Sequence, residues 1–81
     1  MKEKFLGALL FQMKNLSAQV RNGYFTLDDC FDYVWFRKYQ WKLYGMVDTA
    51  YIVGLLTDNE SDMYIKHIRR IGKHYINSLQ P

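Results

Sequence analysis

The chain has 81 residues, 49% of them hydrophobic, and eleven Lys and Arg against eight Asp and Glu leave a net charge of +3. That length leaves no room for two cores, and the lone Cys30 excludes an internal disulfide, so a stapled secreted scaffold is ruled out and a cytoplasmic address is the expectation. No apolar run approaches the roughly 20 residues of a membrane-spanning helix, and so slight a basic excess permits an anionic partner without requiring one.

The first segment carries Phe5, Leu9, Met13, Leu16 and Val20 at helical spacing, widened by Leu6 and Leu10. Its charged start and the apolar run Phe5 to Phe11 have the outline of a leader. Glu3 interrupts the basic start, however, and no small-residue cleavage site follows, so the segment reads as a helix of the fold. Gly23, just after Arg21 and Asn22, stands where a left-handed glycine ends a helix.

A new start signal follows in "FTLDDC". Thr26 is a good N-cap, Asp28 and Asp29 put negative charge on the first turn, and Phe25 is placed to pack on Cys30. The second helix is predicted from Leu27 to Tyr44, closed by Gly45, and a short third one after Asp48 over Thr49 to Leu56. The polar cluster "TDNES" then reads as a turn, with Asn59 or Ser61 capping a fourth helix that runs to Leu79. The expectation is all-α: one helical domain over residues 1–81, a compact bundle of about four helices with an aromatic-rich second helix. One stretch competes. "KYQWKLY" alternates polar and apolar as a strand does, which gives an α+β fallback with an aromatic hairpin at 31–44. The cap before Cys30, and the want of a second strand to pair with, favour the helix.

Half of the chain's aromatic residues fall between Cys30 and Gly45. On a helical wheel Phe31, Trp35 and Tyr39 step by four along one side with Phe36 and Leu43, while Leu27, Cys30, Val34, Trp41 and Tyr44 follow another. A single narrow stripe does not bury both tryptophans, so the helix is expected to have two working faces. Trp35, with Phe31 and Tyr39 above and below it, is assigned to the core. Tyr33, Arg37, Trp41 and Tyr44 are assigned to a protein interface, because Tyr, Trp and Arg dominate interface hot spots.

The last helix separates more simply. Tyr64, Ile65, Ile68, Ile71, Tyr75, Ile76 and Leu79 share an arc that includes Gly72, where another backbone is expected to approach closely. Lys66, Arg69, Arg70 and Lys73 form a basic patch on the opposite arc, beside His74.

Signatures of chemistry fail on inspection. "DNESD" mimics the start of a calcium loop, but Met63 stands at its glycine position and Arg69 at its closing glutamate. His67 and His74 are about 10 Å apart along a helix, and Cys30 is alone, so no metal or other cofactor is expected. Helix capping accounts for Asp28, Asp29 and Asp32 without acid–base work. Ala50 and Gly54 carry a helix-turn-helix spacing, but the polar "NESD" that follows lacks the apolar packing position of a recognition helix. The sequence therefore points to a non-enzymatic, protein-binding module: a stoichiometric regulator or inhibitor of a larger protein, self-associating as a homodimer, with no membrane role. The alternative is a nucleic-acid-binding regulator using the basic face of the C-terminal helix, which the offsetting carboxylates disfavour.

Overall fold

Apolar side chains spaced alternately four and three residues apart build a seam along one side of a helix, and three segments of this chain carry such a seam. In the computed structural model, which describes residues 2–23 and 30–78, each becomes one helix: α1 (Lys2–Arg21), α2 (Cys30–Ile52) and α3 (Asp58–Ser78). α1 buries Leu9, Met13, Leu16 and Val20. From α2 come Phe36, Gln40, Leu43, Val47 and Ala50, and from α3 Tyr64, Ile68, Ile71 and Tyr75. Leu56, in the α2–α3 connection, closes one end. Every pair of helices is in contact. Lys2 Nζ lies 3.2 Å from Glu60 Oε1, which sets the starts of α1 and α3 side by side. α1 and α3 therefore run the same way and α2 returns between them, in a bundle of 41 × 19 × 17 Å.

Among the described residues the bundle has three helices, not about four, because Gly45 does not stop α2. The helix runs straight through it, and the first half of the expected short helix at Thr49 to Leu56 is the last turn of α2, while residues 53–56 form the turn that follows. A glycine inside a helix costs about 1 kcal/mol relative to alanine. Beyond it, Val47 and Ala50 continue the seam fully buried, and burying one valine-sized side chain contributes about 1.5–3 kcal/mol. Burial outweighs the glycine. The aromatic hairpin at 31–44 is excluded as well, since that whole stretch is helical.

α2 ends instead at Gly54, whose φ of 83° is the left-handed conformation that glycine adopts without steric cost. The Leu55 amide donates to the Ala50 carbonyl at 2.8 Å and the Gly54 amide to the Tyr51 carbonyl at 3.1 Å, the paired bonds of a Schellman stop. α1 ends similarly at Gly23, as expected, with φ 71° and its amide donating to Val20 at 3.2 Å.

α3 starts earlier than expected, and neither Asn59 nor Ser61 caps it. Thr57 does. The Glu60 amide donates to Thr57 Oγ1 at 3.2 Å, and the Thr57 amide donates back to Glu60 Oε1 at 3.0 Å. This reciprocal capping box was present in the sequence as T-x-x-E. The backbone bond from Thr57 and the ammonium of Lys2 together hold the Glu60 carboxyl below the usual carboxylate range. The proposed cap and staple at Phe25, Thr26, Asp28 and Asp29 lie outside the described residues.

Candidate functional site: the outer faces of α2 and the α2–α3 groove

The seam of α2 decides which aromatic residues are left outside. It passes through Phe36, 1% exposed, and not through Trp35, which is 47% exposed. Assigning Trp35 to the core is thus corrected by one residue, or 100° of helix. Trp35 belongs instead to a surface cluster on the α1 flank of α2. Its ring lies 6.1 Å from that of Tyr39, and Lys38 Nζ stands 4.7 Å over it. Tyr39 and Lys42 line a shallow cleft of about 180 Å³ against Gln12, Asn15 and Gln19 of α1. The side chain of Phe31 is not among those described.

Val34, Trp41 and Ile52 point directly away from the seam, and Trp41 is 71% exposed. On the third flank, facing α3, stand Tyr33, Arg37 and Tyr44. The Tyr33 ring stacks on Tyr75 of α3 at 6.4 Å, and Phe36 packs on the same Tyr75 at 4.1 Å. Three of the four residues assigned to an interface are therefore neighbours on one flank, and Trp41 lies one step further round.

Arg37 is held in place by neutral oxygens. Its Nε donates to Tyr33 Oη at 3.1 Å, its Nη1 donates to Gln40 Oε1 at 3.0 Å, and its guanidinium carbon lies 5.4 Å from the Tyr33 ring centre. Gln40 is a buried amide in an otherwise apolar seam, only 3% exposed. Its Nε2 reaches across to the Ile68 carbonyl of α3 at 3.4 Å. Gly72 makes that reach possible, since a Cβ there would stand 2.5 Å from Gln40 Nε2. The close approach expected at Gly72 occurs, but the partner is a side chain and not another backbone.

Phe36, Gln40 and Gly72 lie beneath a groove of about 440 Å³ between α2 and α3. Arg37 and Tyr44 border it on one side, Arg69, Lys73 and Ile76 on the other. Lys66, Arg69, Arg70 and Lys73 also surround a second hollow of about 230 Å³ on the outside of α3. The two groups of residues assigned separately from the sequence thus meet at Arg69 and Lys73. The ion pair of Lys2 with Glu60 is the one found among the described residues, and it is far from this surface. None of the four cations of α3 has a described carboxylate within ion-pair distance.

The sequence signalled the cations and the rings. It did not signal Gln40, because a glutamine on a wheel argues for a solvent face. Among the described residues no group of His, Cys, Asp and Glu is gathered as a metal would require, and no described helix is long and apolar enough to cross a membrane. No family model matches the chain, and no match is found among curated proteins or among solved structures.

Proposed function

We propose that the protein acts by binding another protein and not by catalysis, as a stoichiometric regulator or inhibitor, and that it self-associates through the outer face of α2. One observation carries the reading. Val34, Trp41 and Ile52 are each more than half exposed on the side of α2 that no other described helix covers. A tryptophan or tyrosine offers about 150–250 Å² of contact area, and at about 25 cal/mol per Å² leaving such a row in water is unfavourable when a second surface is at hand. A two-fold dimer is the commonest closed arrangement that would cover it.

Light scattering at micromolar concentration should return about twice the chain mass of 9.8 kDa. Trp41→Ala should return the protein to a monomer while changing stability by no more than about 0.5 kcal/mol, as surface substitutions do. A wild-type protein that stays monomeric over a wide concentration range would remove self-association and leave this face to an external target. Unfolding of the Trp41→Ala chain would remove the two-face reading altogether.

A further inference from the structure

We propose that the α2–α3 groove is the seat of an acidic amphipathic helix from a protein partner, held by Arg37, Arg69 and Lys73. The inference rests on the protein-binding reading and gives that partner its chemistry. Three features carry it.

Charge is the first. Three cations border the groove and, among the described residues, no carboxylate does. Arg69 and Lys73 have no described acidic partner, and both described bonds of Arg37 go to neutral oxygens, so no described carboxylate offsets its charge. A complementary ligand must bring the carboxylates.

The second feature is Gln40. An apolar residue at this seam position would pack without needing partners, whereas a buried amide must have its hydrogen bonds satisfied. The protein meets that need with the Ile68 carbonyl on one side and Arg37 on the other, and it keeps a glycine at 72 to make room. The outcome is a guanidinium fixed at the edge of the groove by Gln40 and Tyr33, with its fork ordered before any ligand arrives. Gln40 is a positioning residue.

The third is the form of the groove. Tyr44 and Ile76 give it apolar surface, and it runs between two packed helices, where the apolar stripe of another helix fits. A nucleic acid has phosphates for the cations but no aliphatic side chains for that surface. Base stacking is also poorly served, because Phe36 is buried against Tyr75 and the half-buried Tyr44 is the one other ring along the described groove. A second copy of this chain is disfavoured here, since two-fold pairing would set the cations of one groove against those of the other.

The test uses the full chain, isotope-labelled for NMR, and four probes: a synthetic helical peptide with a leucine stripe flanked by glutamates, the same peptide with lysines for glutamates, and single-stranded and duplex DNA. The acidic peptide is expected to bind saturably and to shift the Arg37 Nε, Gln40 side-chain amide and Gly72 signals, with affinity falling at least tenfold between 50 and 500 mM salt. The lysine peptide should not bind. Arg37→Glu with Arg69→Glu should lower affinity at least tenfold in a chain of unchanged helicity. Gln40→Leu should weaken binding several-fold while leaving the melting temperature equal or higher, a separation that a purely structural glutamine would not produce. No saturable shift with the acidic peptide, equal binding of the lysine peptide, shifts confined to other surfaces, or tighter binding of either DNA would each overturn the proposal. Light scattering on the same samples keeps the two readings apart: a dimer that depends on Trp41 but ignores the acidic peptide would leave the protein-binding reading standing and remove this one.

Discussion

α2 and α3 offer the core seams of the same spacing and differ in everything else. Outside its seam α3 is mostly polar and charged, so its buried arc stands out in the sequence. α2 is aromatic on nearly every side, so its seam is camouflaged. Of its two adjacent large rings, Trp35 and Phe36, the smaller is buried and the larger exposed. Ring size does not choose the buried position. Registration with residues further along the same helix, here Leu43, Val47 and Ala50, does.

Truncating each ring in turn should give the largest difference. Phe36→Ala should destabilise the fold by about 3–5 kcal/mol, the usual cost of emptying a buried aromatic site. Trp35→Ala should cost about 1 kcal/mol, the scale of an exposed ring–cation contact. Urea denaturation of the two variants gives the ratio, and equal losses would return Trp35 to the core.

Glycines give a second contrast, one on each helix. Gly72→Ala would drive a methyl group into the Gln40 amide and should cost about 1–3 kcal/mol, as overpacking does. Gly45→Ala meets no atom within 4 Å and should stabilise α2 by roughly 0.5–1 kcal/mol through helix propensity. Thermal melts that move in opposite directions would support both placements.

The smallest effects lie where α3 begins. Thr57→Ala should cost about 1 kcal/mol, the typical value of a lost N-cap. Glu60 adds a pH dependence. Its folded pKa lies below the unfolded one, so its stabilisation is present above the ordinary carboxylate range and is lost as pH falls through the folded value. Glu60→Gln should therefore be less stable than wild type near neutrality, and the two should converge in acid. A gap that persists at low pH would mean the carboxylate charge is not what matters.

Much of this fold was legible from the sequence. The helical class, the seams of α1 and α3 and the Gly23 stop follow from spacing and turn chemistry. The helix count did not follow, because a glycine reads as a stop locally, while the burial of Val47 and Ala50 that carries α2 through Gly45 depends on the other two helices. Thr57 was missed for a different reason. Its box with Glu60 is plain in "TDNE", but the same polar cluster satisfies the composition of a turn. At the candidate site, Arg37 and the cations of α3 could be named from their surroundings in the chain. That Arg69 and Lys73 share a groove with Arg37 could not, since it depends on the facing of α2 and α3. Gln40 was the least legible of all. A polar letter inside the seam is what makes that arc look like a solvent face.

The alternation of four and three along all three seams has a consequence for handedness. An average step of 3.5 residues falls short of the 3.6 of a straight helix, so a seam drifts by about 20° per seven residues unless the helices wind around one another in a left-handed sense. Across the 23 residues of α2 the accumulated turn is roughly 60°. The row from Val34 through Trp41 to Ile52 does not share that drift, because its steps of seven and eleven residues make eighteen, five whole turns of a helix. A partner that follows the row end to end therefore runs along the axis of α2, while the seam beneath it turns away.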